Sequence, residues 1–240
     1  MLSGTRDWGR WLPLGRRSPR LEWLDAGLVT GDELRTNLAD LARLNRLPGG
    51  GAASADAVGA LLDGASEATV LDVGTGAGDL PLTFAARGWA VVGLDADPAV
   101  VAEARARTAH VPAIRIVEGD ARDLPLDDAS VDVVHASLLA HHLDPPAALR
   151  AFAEMARVAR VGVVVNDLRR GLLPLLAAGV CVAALGRCRT TRHDGLLSVR
   201  RAYTPTELDG LLATAGLRVT RRTAGWMPRV VTTAVPQVAP

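Results

Sequence analysis

The sequence of 240 residues contains no lysine; all 27 of its basic side chains are arginines. That absence excludes several chemistries outright. A P-loop needs a lysine on the nucleotide phosphates, a pyridoxal phosphate enzyme needs a lysine Schiff base, and a protein kinase needs a lysine on the α- and β-phosphates. Cysteine is almost as scarce. Cys181 and Cys188 cannot complete a zinc site alone, and their spacing is not that of a zinc or redox pair. Reduced thiols in a cytoplasmic protein are the expectation. Aromatic residues make up 3% of the chain, few for stacking on nucleic acid bases. The most apolar run, Leu172 to Leu185, is about 14 residues, short of the roughly 18 or more that suggest a membrane span. The first twenty residues lack the apolar stretch of a secretory signal. A net charge of +1 gives no overall pull toward nucleic acid or anionic membrane.

What is present is unevenly distributed. The net charge is +2 over residues 1–50, −9 over 51–167, +6 over 168–202 and +2 over 203–240. In the first segment Leu34, Leu38, Leu41, Leu44 and Leu47 recur at steps of three and four, one face of a helix. Thr30 or Asp32 can cap its start, and Pro48-Gly49-Gly50-Gly51 ends it as a hinge or linker. This divides the chain into an N-terminal helical cap over 1–50 and a main domain over 51–240, with an insertion over 168–202.

From Ala68 onward the pattern alternates. Strands are expected at 69–73, 90–95, 114–117, 131–135 and 161–165, with helices at 80–87, 98–108 and 146–157. Continuous Val/Leu/Ile strands between helices indicate a parallel sheet covered on both faces. Thr204-Pro205-Thr206-Glu207 opens a further helix with a capping box, and 217–223 with 230–235 predict a closing hairpin. The fold class is therefore α/β, a Rossmann-like, mostly parallel sheet of seven strands.

The strongest chemical signal is Asp72-Val73-Gly74-Thr75-Gly76-Ala77-Gly78-Asp79 after the first strand. Glycines let a backbone turn sharply and approach a ligand, and the helix that follows offers unpaired N–H groups. A dinucleotide fingerprint needs glycine three places after Gly76, where this chain has Asp79. The acidic residue ahead of the loop suits a ligand bearing an ammonium group.

These residues resemble the first motif of the class I S-adenosylmethionine-dependent methyltransferases, and further motifs of that family follow in order. Gly93-Leu94-Asp95-Ala96-Asp97 resembles the second, in which a carboxylate accepts the ribose hydroxyls. Gly119-Asp120-Ala121-Arg122-Asp123 resembles the third, in which an aspartate meets the adenine amino group and the next N–H reaches the ring. Asp132-Val133-Val134-His135 and His141-His142-Leu143 resemble the ubiquinone/menaquinone-biosynthesis-like branch, although Arg160-Val161-Gly162 stands where that branch has Pro-Gly-Gly. Asn166-Asp167-Leu168-Arg169-Arg170, with Asn45-Arg46 before the glycine break, is similar to members associated with type III polyketide and phenolic-lipid pathways.

The resemblance implies S-adenosyl-L-methionine as cofactor, held by Asp72, Gly74, Thr75, Gly76, Gly78, Asp95, Ala96, Asp120, Ala121 and His135. Asp79 is either a further contact or a partner of the helix dipole. His142, His141 and His135 are the candidates for a base or positioning group, and His193 for the substrate pocket; His110 is expected in an exposed loop. No metal is expected, because position 135 is His and the pair after the fifth strand runs Asn166-Asp167, unlike catechol methyltransferases. The implied activity is methyl transfer to a small hydrophobic acceptor, a phenolic or polyketide-derived hydroxyl. The alternatives are C-methylation of a quinone-like ring, or a sensor that binds the cofactor without turnover. Nucleic acid is not an expected partner. The apolar part of the insertion, Leu172 to Ala178, offers a pocket wall or the face of a homodimer. With Trp8, Trp11 and Trp23 of the first segment, the insertion is expected to form a lid.

Overall fold

A computed structural model describes residues 14–47, 49–65, 67–224 and 228–237. Trp8 and Trp11 lie outside the described residues. Seven strands form one sheet: β1 (Thr69–Val73), β2 (Ala90–Asp95), β3 (Ile114–Glu118), β4 (Val131–Ser137), β5 (Ala159–Leu168), β6 (Leu217–Ala224) and β7 (Arg229–Pro236). Their order is β3-β2-β1-β4-β5-β7-β6. The first five are parallel, and β7 runs antiparallel to both β5 and β6. This is the α/β arrangement expected from the alternating pattern.

Strand periodicity divides the core between two faces. Val70, Val91, Val133 and Val164 point to one face and pack with Ala55, Val58 and Leu62 of α2 (Gly51–Leu62) and Phe84 of α3 (Asp79–Ala85). Leu71, Val73, Val134 and Val163 point to the other, against Phe152 and Met155 of α5 (Pro145–Val158) and Leu212 of α8 (Pro205–Thr214). The inner strands β1, β4 and β5 are largely apolar on both sides for this reason.

Local chemistry sets the helix starts. Asp97 caps α4 (Pro98–Thr108) by accepting from Ala99 N at 2.8 Å. Asp144 caps α5 in the same way through Ala147 N. The capping box expected at Thr204 and Glu207 is present. Thr30 precedes α1 (Gly31–Leu44) as expected, but its side chain makes no capping bond.

The glycines after α1 behave differently from a free linker. Gly51 starts α2, a helix the sequence did not signal because its alanines and glycines show no apolar stripe. Asn166 Nδ2 donates to the carbonyls of Gly49 and Gly50 at 2.9 and 3.2 Å. A Cβ at Gly50 would lie 2.1 Å from the Asn45 carbonyl oxygen, so only glycine permits this approach.

The insertion after β5 forms α6 (Leu172–Leu185) and α7 (Arg189–Arg201), and both pack on α1. Asp40 accepts from Arg187 N and Cys188 N at 2.7 and 3.1 Å, Thr190 Oγ1 donates to Glu33, and Trp23 stacks on His193 with centroids 4.0 Å apart. Three arginines of the insertion, Arg170, Arg192 and Arg201, donate to backbone carbonyls, and Arg170 also to Glu207. Leu172, Leu173, Leu176 and Val180 leave one side of α6 exposed and apolar. No described helix is long and apolar enough to cross a membrane.

Candidate functional site

At the C-terminal ends of β1 and β2 the chain borders a cleft of roughly 620 Å³. Such rims are where open α/β sheets bind ligands. Gly74 N and Thr75 N both donate to Leu94 O, at 2.8 and 2.9 Å, which folds the glycine loop back over β2. Gly74 and Gly76 hold φ of +72° and +54°, values that a side chain disfavours. Asp95, ending β2, accepts from Gly76 N at 3.0 Å and from Asp97 N at 3.2 Å. Burial pushes its carboxyl above the ordinary carboxylate range, against the pull of those two N–H groups.

The structure sorts the expected cofactor residues into three groups. Gly74, Thr75, Gly76, Asp95, Ala96 and Ala121 line the cleft. Asp72, His135 and Gly78 lie behind it. Asp72 accepts from Thr75 Oγ1 at 2.8 Å and meets His135 Nδ1 at 2.7 Å, and His135 Nε2 meets Ser54 Oγ at 2.9 Å. With Asn166 Nδ2 donating to Ser54 Oγ, a neutral His135 donates to Asp72 and accepts the Ser54 hydroxyl proton. His135 is fully buried, so the chain Asn166–Ser54–His135–Asp72–Thr75 buttresses the loop from below. Gly78 faces α4, where a Cβ would lie 2.8 Å from Thr108 Cγ2. Asp120 forms the third group: it is half-exposed and turned to Arg122, whose hydrogen bonds hold its carboxyl below the usual range.

The cleft also takes residues that sequence reasoning did not place there: Leu24, Asp25, Leu41, Asn45, Ser137 and Leu139. Asp79 lines it as well, with its carboxyl raised by burial and accepting from Asn45 Nδ2 at 2.8 Å. The Ser137 hydroxyl is buried without a protein partner. Asn45 belonged to a motif in the sequence; Leu24, Asp25 and Leu41 reach the cleft through packing of the N-terminal segment, and Ser137 and Leu139 lie at the C-terminal end of β4.

A second, more apolar cavity of roughly 120 Å³ adjoins the first and shares Leu24, Leu41, Leu138 and His142 with it. His141 lines it, buried, with Nδ1 2.6 Å from Asp167 Oδ1 and its backbone N–H donating to Asp167 Oδ2 at 3.1 Å. Burial alone would raise the Asp167 carboxyl; the adjacent His141 reverses the sign and holds it low. The other ring nitrogen, Nε2, faces Glu22 Oε1 at 3.8 Å, beyond hydrogen-bond reach, and that oxygen has no hydrogen-bond partner. His142 Nδ1 bonds Asp25 at 2.7 Å. Burial opposes its charge, yet the Asp25 bond and nearby Glu22 push its pKa up to about 9. Arg17 and Arg201 hold the carbonyls of His141, His142 and Leu143 in place.

Glu22, His141 and His142 also place ligand-type atoms within 4.8 Å of one another. The Arg201 guanidinium, 3.6 Å from Glu22, already supplies positive charge there. His193 stacks on Trp23 and bonds Asp194 at 2.7 Å at the edge of this cavity. His110 lies in an exposed turn after α4.

The first cavity fits an adenosyl sulfonium. An added Cβ at Gly76 would meet nothing within 4 Å, so the loop leaves backbone open to a ligand. Asp95 brings a carboxylate to this cleft, and Ser137 brings a hydroxyl without a protein partner.

Comparison with known proteins agrees. Residues 70–162 match the family described as Methyltransferase domain. An uncharacterized methyltransferase of Synechocystis is 34% identical over 103 residues, 42% of this chain and 47% of the relative. Across the first curated relatives the match spans 30–47% of their length. Magnesium protoporphyrin IX methyltransferase from Synechocystis superimposes with a TM-score of 0.57 at 18% identity, covering 87% of this chain and 89% of that one. Mitomycin 7-O-methyltransferase superimposes with a TM-score of 0.59 at 24% identity, covering 77% and 53%. This sheet order and glycine loop, with the matched segment between β1 and β5, give the chain the methyltransferase fold, and residues 70–162 match a methyltransferase domain.

Proposed function

We propose that this chain transfers a methyl group from S-adenosylmethionine to a hydroxyl of a small hydrophobic acceptor, phenolic or polyketide-derived. We place it in the ubiquinone/menaquinone-biosynthesis-like branch, near the members associated with type III polyketides and phenolic lipids. The observation that carries this reading is the apolar cavity that shares Leu138 and His142 with the cofactor cleft and holds the unpartnered edge of a His–Asp pair. The name of the mitomycin enzyme, an O-methyltransferase, supports oxygen as the acceptor atom.

When bound, the cofactor supplies a sulfonium methyl that passes in line to the acceptor oxygen, the C–S bond breaking as the O–C bond forms. The residues of the chain orient the two partners and manage one proton. Asp95 would accept from the ribose hydroxyls, and Ala121 with Asp120 would hold the adenine. Asp79, with Asn45, would meet the methionine ammonium, while Asp72 and His135 hold the loop from behind. His141 takes the hydroxyl proton at Nε2, with Asp167 fixing Nδ1–H as the opposite tautomer. His142 is charged near neutral pH and therefore positions rather than accepts. Arg201 and His142 already face Glu22 and Asp25 with positive charge, which favours a metal-free site.

The N-terminal segment and the insertion act as the lid. Leu24 borders both cavities and Asp25 the cofactor cleft, so removing residues 1–30 abolishes turnover and also loosens cofactor binding. Calorimetry with S-adenosylhomocysteine, then labelled-methyl transfer to a panel of phenols with and without chelator, tests the reading. Binding without product on any acceptor would leave a sensor instead. Loss of turnover on chelation would restore a metal at Glu22, His141 and His142.

A further inference from the structure

Arg229 begins β7 on the wall of the second cavity, with only 8% of its surface exposed. Its Nη2 donates to Asn45 Oδ1 at 2.6 Å, while its Nη1 is buried without a hydrogen-bond partner. Among the described residues it forms no ion pair. The other charged groups on this wall are accounted for. Asp194 accepts from Trp23 N at 3.1 Å and Leu24 N at 3.3 Å, and bonds His193. Glu22 lies 3.6–3.9 Å from Arg201, His141 and His142. His142 is paired with Asp25.

Arginine does not escape this situation by losing its proton. Burial lowers its pKa only to about 10, with Asp167 and Asp79 opposing that fall from a distance. A buried, unpaired cation is strongly unfavourable, and the charge-assisted bond it lacks is among the strongest a side chain makes. An anion brought from outside the chain resolves both.

We infer that the acceptor is itself an acid, whose carboxylate or equivalent anionic oxygen pairs with Arg229 Nη1 while its apolar body lies against Leu41, Leu44, Leu47 and Val182. The inference rests on the methyltransferase reading for the role of the cavity. At roughly 120 Å³, the space compares with the ~150 Å³ cavity that holds one benzene ring. An acceptor of this class is thus limited to about a single ring, such as a hydroxybenzoate. Its carboxylate is fixed at β7, and its hydroxyl is presented to His141 Nε2 and the unpartnered Glu22 Oε1, both of which accept.

The test titrates 2-, 3- and 4-hydroxybenzoate, and the three matching amides, into the full chain saturated with S-adenosylhomocysteine. At least one acid is expected to bind tenfold or more tightly than its amide, and Arg229→Gln to erase that preference. Without ligand, Arg229→Gln melts no lower than the unmodified protein, because an unpaired buried charge has been removed. The preferred acid raises the melting temperature of the unmodified protein alone. Amides binding as well as acids, no acid binding at all, or a preference that survives Arg229→Gln would each overturn the inference. The acid–amide comparison needs no variant, so a misfolded variant does not weaken it. Methylation of neutral phenols with no preference for acids defeats the anion site and leaves methyl transfer standing. Failure to bind S-adenosylhomocysteine defeats the underlying reading.

Discussion

The two cavities on either side of Leu138 and His142 are built by opposite means. One side of the cofactor cleft is made by the loops at the tips of successive strands, each piece a few residues after the strand that positions it, and α1 with Leu24 and Asp25 closes the other. The second cavity is made by side chains from α1, the turn at Ala140–His142, α6, α7 and the start of β7. Its polar contacts join residues as far apart as Asn45 and Arg229. Backbone cradles suit a ligand that is the same across a family. Walls assembled from distant side chains suit one that differs from member to member, which is where specificity belongs.

If that division holds, damage to the two regions separates into different observables. The largest effect is expected from His141→Asn. Losing a general base costs typically 10²–10⁴-fold, so turnover falls by at least about a hundredfold while affinity for S-adenosylhomocysteine is kept. Equal loss of both would merge the regions. Asp95→Lys is the converse: removing charge-assisted bonds at about 1.5–3 kcal/mol each weakens the cofactor on the order of a hundredfold by calorimetry. An unchanged affinity would remove the adenosyl assignment.

Gly78→Ala lies behind the cleft and forces a Cβ into φ of +76°, 2.8 Å from Thr108. It should cost about 1–3 kcal/mol in denaturant unfolding, with the second cavity untouched. His142 gives a pH signature. Its folded pKa of about 9 exceeds the ordinary value of 6.5, so the stabilisation is complete below about pH 6.5 and is lost as pH rises through about 9. The melting difference between the unmodified protein and His142→Gln should shrink over that window; a constant difference would mean that the ring is uncharged. The smallest effect is Thr204→Ala, which removes one half of the capping box for about 1 kcal/mol and leaves both sites intact.

The sequence was legible where structure is local. Continuous Val runs gave β1 to β5, and Thr204 with Glu207 gave the start of α8, because strand burial and capping depend on near neighbours. Asp95 and the glycine loop were readable for the same reason. α2 was not, since Gly51–Leu62 has no apolar stripe to betray a helix buried against the sheet. The sequence puts His135 at a strand end, which suggests exposure, but β4 runs on to Ser137 and Ser54 bonds the buried ring. Arg229 was invisible as a site residue because nothing near it in the chain marks it; only the fold brings it beside Asn45.

Asn45 itself has one more consequence. Its amide gives a proton to Asp79 on the cofactor side and receives one from Arg229 on the other, so the group cannot be turned over without setting like against like at both ends. A perturbation that shifts either neighbour is therefore felt by the other through a single amide plane. By thermodynamic reciprocity, any change that a guest in one chamber works on affinity in its twin would be matched in the opposite direction, whichever arrives first.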